Sequence, residues 1–167
     1  MPKRFSMRLE EADGIADVFE VVKDAVWKSL RKSRAGLNLG LAELGGQENF
    51  FIGAFYPVGS NIIVMNRTPL RRITETDYAL SKPYSFHILL HEYLHALGYL
   101  DEDTARGLTH RISEETMGAS HAATLMAKDL SRFFPNLAYP GVRWQPDGEL
   151  MIELVPGFDR SSTNYIA

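Results

Sequence analysis

The stretch ILLHEYLHALGYLD, residues 88–101, decides how this sequence is interpreted, because it sets two histidines and a glutamate inside an apolar run. Its apolar residues recur with helical spacing, which predicts a helix over 83–97. Pro83 suits the first turn of that helix, and Gly98 suits its end. The face that should be buried consists of Phe86, Leu89, Leu90, Tyr93, Leu94 and Leu97. Ionisable groups are costly in a buried helix, so these three need a chemical reason to be there.

His91, Glu92 and His95 form the pattern H-E-x-x-H, which indicates a zinc site when it lies on a helix. Residues i and i+4 share one helix face, so both imidazoles can approach one ion to about 2.0–2.1 Å. Glu92 lies about 100° further around the axis and can reach a metal-bound water without binding the metal. The ion acidifies that water, and a carboxylate beside it can act as general base. We therefore predict one Zn²⁺ held by His91 and His95, with Glu92 as the catalytic residue.

This motif resembles that of the zincin metallopeptidases, and the order of strands and helices over residues 3–98 is loosely similar to theirs. The resemblance implies an α/β (α+β) fold, with a mixed twisted sheet, a backing helix, an active-site helix and C-terminal helices. It also implies hydrolysis of peptide bonds, with a peptide or protein substrate lying antiparallel to an edge strand. That strand would be FFIGAFYP, residues 50–57, or NIIVMN, residues 61–66.

A catalytic zinc site has three protein ligands, and the sequence offers several candidates for the third. We predict His121, because three histidines suit zinc well. Asp101 is the main alternative, because H-x-x-x-H-x-x-G-x-x-D resembles the metzincin extension, in which Met117 would form the methionine turn. Asp101 also fits an ordinary helix N-cap. Glu114 or Glu115 would match the spacing of gluzincins, although a solvated helix end is the better interpretation of both residues.

Other polar residues have weaker candidate roles. His87 lies one further turn back on the face of the two motif histidines, so we expect it behind the metal ligands or in the cleft wall. Tyr56, Tyr84 and Tyr99 are candidate hydrogen-bond donors to an oxyanion, although each also fits a packing role. His110 falls off the apolar face of its helix and is expected at the surface.

The remaining pattern predicts a mixed sheet covered by helices. Alternation predicts strands over 3–10, over 35–44, twice within 50–66, and over 149–155. Helical spacing predicts helices over 15–33, 101–116 and 120–134. Residues 68–82 are expected to be a polar connection with at most a helical turn. We expect a single domain, 1–167, in which 134–167 forms an irregular C-terminal extension.

Composition narrows the class of protein. The chain has 167 residues and no cysteine, so a zinc site must use His, Asp, Glu or water. Its net charge of -3 gives no reason to expect nucleic acid, and no apolar run predicts a signal peptide or a membrane span. We therefore expect a cytoplasmic zinc metallopeptidase. Two alternatives stay open, a zinc hydrolase of a non-peptide amide and a zincin-fold binding protein without turnover; the sequence leaves the oligomeric state open.

Overall fold

The computed structural model describes residues 2–44, 46–47, 50–139, 146 and 148–157, and it shows the predicted mixed α+β architecture. The helices are α1 (Pro2–Glu11), α2 (Ile15–Leu30), α3 (Arg67–Thr76), α4 (Ser81–Ala96), α5 (Glu102–Met117) and α6 (Ala122–Lys128). The strands are β1 (Asn38–Ala42), β2 (Gly46–Gln47), β3 (Phe50–Ile52), β4 (Ala54–Phe55), β5 (Ile62–Asn66), β6 (Leu137–Ala138) and β7 (Glu153–Leu154). Short 3₁₀ turns follow α3 and α6.

The strands form two small sheets. In the first, the order is β4-β5-β1-β7, with β1 and β5 parallel and the outer strands antiparallel to their neighbours. In the second, the order is β2-β3-β6, with β3 and β6 parallel. Gly53 joins β3 to β4, and its carbonyl accepts a hydrogen bond from the backbone N–H of Asn66 at the end of β5. The chain therefore passes from one sheet to the other at Gly53.

Helix α4 lies in the middle of the helical layer, where it packs against α2, α5 and α6. Every residue from Tyr84 to Ala96 is buried, so the helix has no solvent-facing side over that length. The ring of Tyr93 meets Phe19 of α2 edge to face at 5.2 Å, and its hydroxyl accepts a hydrogen bond from the backbone N–H of Arg34. The helix that carries the histidine pair is thus part of the core, which explains why its polar residues are buried.

The predicted first strand is wrong, because residues 2–11 form helix α1. Phe5, Met7 and Leu9 alternate, but Phe5 and Leu9 are also four residues apart and can share a helix face. The structure buries Phe5 and Leu9, whereas Met7 is 50% exposed. The burial pattern therefore follows the helical period, and a short apolar alternation could not separate the two possibilities.

Other boundaries also differ from the prediction. Residues 68–82 include a full helix, α3, which begins where the Asn66 side chain accepts a hydrogen bond from the Thr68 N–H. Helix α2 ends at Leu30, and α6 ends at Lys128, both earlier than predicted. In the extension, the strand predicted over 149–155 is present as the shorter β7, which pairs with β1, and an additional strand, β6, pairs with β3. Much of that extension, including 140–145 and 158–167, lies outside the described residues.

None of the helices in the described ranges combines the length and the apolar character that a membrane crossing requires.

Candidate metal centre

His91 and His95 lie one turn apart on α4, and their rings meet edge to face with centroids 4.8 Å apart. Both side chains are almost inaccessible, at 1% and 4% exposure. The Nε2 atoms of both rings point toward one carboxylate, that of Glu102. Oε1 of Glu102 is 3.4 Å from Nε2 of His91 and 2.7 Å from Nε2 of His95. Ligand atoms of the three residues all lie within 4.8 Å of one another.

Glu102 reaches the histidines because the chain turns sharply between α4 and α5. Gly98 has a φ of 108°, a conformation that favours glycine, and it lets the chain reverse at the end of α4. The carboxylate of Asp101 then accepts a hydrogen bond from the Thr104 N–H and caps α5. Glu102 is the first residue of α5, so its side chain projects back toward α4.

The structure places the predicted third ligands elsewhere. His121 caps α6, where its Nδ1 accepts a hydrogen bond from the Ala123 N–H. Asp101 has the N-cap role that it also fitted by sequence. Glu114 lies near His110 at the surface, and Glu115 accepts a hydrogen bond from Ser29. We therefore assign the third position to Glu102 in place of His121 or the alternative Asp101.

The hydrogen bonds of the two His95 ring nitrogens indicate that a cation fits between His95 and Glu102. Nδ1 of His95 is 2.7 Å from the carbonyl oxygen of Tyr99 and must donate its proton to it, since a carbonyl can only accept. In a neutral imidazole, Nε2 is then a bare lone pair. Two acceptors facing each other at 2.7 Å require a cation, either a proton on Nε2 or a metal ion. Fixing a histidine tautomer through its other nitrogen is also how proteins orient metal ligands.

The spacing and chemistry of the group suit zinc. Ligand atoms at about 2.0–2.1 Å in a tetrahedral site are about 3.3 Å apart. The separation between His91 and Glu102 is 3.4 Å, and the shorter separation at His95 requires a small side-chain shift. Burial lowers the pKa of His91, which favours the neutral, metal-binding form of the ring. Two imidazoles and one carboxylate form a donor set that catalytic zinc uses.

Without a metal, the Glu102 carboxylate and the protonated His95 form an ion pair, and His91 lies beside them. Burial opposes ionisation of Glu102, but hydrogen bonds with His91 and His95 hold its pKa well below the ordinary range. Burial also opposes the charged form of His95, yet Glu102, with a further contribution from Glu92, raises the pKa of His95. The proton and a metal ion therefore compete for the same position.

Glu92 lies beside this group without joining it. Its side chain is 3% exposed, and burial raises its pKa to about 8, with a contribution from the nearby charge of Glu102. The backbone of Tyr56, which directly follows edge strand β4, has a smaller effect in the opposite direction and lowers the pKa of Glu92. A carboxyl group whose pKa lies near neutrality can take up and release a proton at physiological pH.

Tyr139, which our sequence reasoning missed, packs on His91. Its ring stacks on that of His91, with centroids 4.6 Å apart and planes at 29°. Its hydroxyl is 2.6 Å from Nε2 of His87. His87 is fully buried, and burial lowers its pKa to about 3, so the ring is neutral. His87 thus lies behind His91 and is connected to it through Tyr139.

The three tyrosines proposed as oxyanion donors have other contacts. The Tyr56 hydroxyl donates to the Ser60 carbonyl and accepts from Arg34. The Tyr84 hydroxyl is buried without a partner among the described residues, and its ring meets Phe134 edge to face. Tyr99 contributes its backbone carbonyl to His95 rather than its hydroxyl. The residues that approach the motif are instead Glu102 and Tyr139.

One of the two missed residues carried a usable sequence signal. Glu102 follows a recognisable N-cap, Asp101, and stands just four residues after the helix-ending Gly98. Because α5 packs back against α4, the side chain of its first residue, Glu102, is directed toward α4. Tyr139 lies 44 residues beyond His95, in a segment without helical or strand periodicity, and carried no such signal.

Comparison of this chain with protein-family models, with curated proteins and with solved structures finds no match. The assignment of a function therefore depends on the geometry of the site.

Proposed function

We propose that this protein is a zinc-dependent hydrolase that cleaves peptide bonds, as its similarity to zincins suggests. The observation that supports it most is the approach of Glu102 Oε1 to Nε2 of both His91 and His95, with the His95 tautomer fixed by Tyr99. A bound Zn²⁺ lowers the pKa of a water ligand to about 7 and polarises a substrate carbonyl. Proton transfer and the placement of the substrate are carried out by residues of the chain.

Glu92 is the general base and then the general acid. A cation at the neighbouring ligands favours its ionised form, which counteracts the effect of burial on its pKa. The carboxylate accepts a proton from the attacking water and donates it to the departing amine nitrogen. The Tyr56 backbone also lowers the pKa of this carboxyl group and so favours the ionised form that accepts the proton.

The position of β4 suggests how a peptide would lie. Of the two segments considered, β5 is interior, between β4 and β1, whereas β4 is an edge of its sheet. An extended peptide could add to that edge through backbone hydrogen bonds. Because Tyr56 follows β4 directly and its backbone affects the pKa of Glu92, such a peptide would pass close to the general base.

The test is Glu92→Gln, which keeps the size of the side chain and removes its capacity to accept a proton. We expect the variant to bind Zn²⁺ as the parent does and to lose hydrolysis of a quenched-fluorescence peptide library by about 100-fold or more. A screen of non-peptide amides on the parent would detect the alternative hydrolase. Zinc binding without turnover on either substrate class would contradict the proposal and favour the binding protein.

A further inference from the structure

A cavity of about 390 Å³ adjoins the candidate metal centre on the side of α5, α6 and β6. It is lined by Arg106 of α5, by the end of α6 with the turn after it, and by residues 137–139. This volume is within the range of small-ligand sites, and the lining mixes apolar and polar side chains as such sites do.

Two of the lining residues also contact the metal centre. Tyr139, which lines the cavity, stacks on His91. Arg106 places its Nε 3.5 Å from Oε2 of Glu102. Any molecule in the cavity therefore lies one side chain away from the ligands, which is the distance expected of a substrate residue next to the bond that is cleaved.

The charge of the cavity opposes that of the chain. The protein carries a net charge of -3, but the lining contains two cations, Arg106 and Lys128, and one carboxylate, Asp129. Asp129 already accepts a hydrogen bond from the Ser131 hydroxyl. Within the described ranges, the Lys128 ammonium group forms no ion pair and no hydrogen bond.

Arg106 is restrained by two contacts within the protein. Its guanidinium carbon lies 4.4 Å from the centroid of the Tyr139 ring, which is a cation–π contact. Its Nε faces Glu102, and its terminal amino groups donate no hydrogen bond to any described residue. Because these terminal N–H groups are free of hydrogen bonds to the described residues, the planar guanidinium can match the two oxygens of a carboxylate, and does so better than an ammonium group.

We propose that this cavity binds a carboxylate of the substrate, through Arg106 and Lys128, and so selects peptides with an acidic group beside the cleaved bond. This inference rests on the proposed function for its meaning in catalysis, but binding of the carboxylate does not require turnover. The carboxylate could belong to an acidic side chain or to a free C-terminus, and the two sources differ in the test below.

The experiment compares three short peptides that share one sequence. The first carries Glu and an amidated C-terminus, the second Gln and a free C-terminus, and the third Gln and an amidated C-terminus. Binding to the zinc-loaded Glu92→Gln protein is measured by calorimetry, so that turnover does not interfere. We expect at least one carboxylate peptide to bind about fivefold tighter than the neutral peptide, in line with a partly exposed ion pair. The tighter of the two identifies the source of the carboxylate.

The residues responsible are tested in the same background. Lys128→Gln, which is outside the metal ligands, should reduce the preference, and Arg106→Gln combined with it should remove it. Arg111→Gln is the matched control, because Arg111 lies on the same helix and pairs with Glu115 away from the cavity. Zinc content of each variant shows whether the metal centre is intact.

Equal binding of all three peptides would overturn the inference, as would a preference that survives the double substitution. Peptide hydrolysis by the parent is measured separately. A carboxylate preference without hydrolysis would support the cavity and contradict the hydrolase. Hydrolysis without a carboxylate preference would support the hydrolase and contradict the carboxylate-binding cavity. The failure of one proposal can therefore be distinguished from the failure of the other.

Discussion

Replacing Glu102 by Gln tests the assignment of the third ligand. The substitution keeps the shape of the side chain but removes the charge that lies 2.7 Å from Nε2 of His95. In the metal-free protein near pH 7 it removes an ion pair whose carboxylate is 27% exposed. We expect the substitution to lower the free energy of unfolding by about 1–2 kcal/mol. This value is near the lower end of the range for hydrogen bonds to charged groups, because the carboxylate is partly exposed.

The larger effect should be on zinc. Residues that merely support a metal ligand change affinity by about 10–100-fold when substituted, so loss of a direct anionic ligand should cost about 100-fold or more. That corresponds to about 2.7 kcal/mol less stabilisation by saturating zinc. For a protein of this length, the zinc-induced rise in Tm should then be smaller by about 5–11 °C.

The assay is thermal unfolding, followed by circular dichroism, at fixed free Zn²⁺ set by a chelator, together with metal content by mass spectrometry. Asp103→Asn is the matched control, because it removes a carboxylate from the same turn at an exposed position. His121→Ala and Asp101→Asn should both retain zinc. Normal zinc affinity in Glu102→Gln, with loss of zinc in His121→Ala, would refute the assignment and restore the prediction made from the sequence.

Three further predictions concern the fold around the site. A Cβ at Gly53 would lie 2.7 Å from the Tyr84 hydroxyl, so Gly53→Ala should cost about 1–3 kcal/mol in denaturant unfolding. Tyr84→Phe should recover part of that loss, and strictly additive effects would show that the hydroxyl is not the obstacle. The unfolded state protonates His87 near its ordinary pKa of 6.5, while the native state does so only at about 3. In the metal-free protein, His87 should therefore contribute a loss of about 1.4 kcal/mol of stability per pH unit as pH falls from 6.5 toward 3. His87→Gln should reduce the pH slope of stability by that amount, and identical slopes in parent and variant would contradict the burial argument. Finally, Leu9→Ala should cost about 2–5 kcal/mol and Met7→Ala less than about 0.5, as a helix requires, whereas similar losses would favour a strand.

The sequence was sufficient for features that depend on neighbours along the chain. The spacing of His91 and His95 placed both rings on one helical face, and that geometry holds wherever a helix forms. Gly98 and Asp101 marked the end of α4 and the start of α5. The same local reasoning failed for residues 3–10, because an apolar alternation this short fits a helix and a strand equally well.

The tertiary structure decided which distant residues meet the histidine pair. Glu102 approaches them because α5 folds back against α4, and Tyr139 does so because β6 pairs with β3. Both arrangements depend on packing between elements, whose free energy comes from burying apolar surface and carries no periodic signal in the chain. A motif of five residues therefore specified two candidate ligands and a candidate base, while the positions of the third candidate ligand and of Tyr139 were set only by the packing of α5 on α4 and the pairing of β6 with β3.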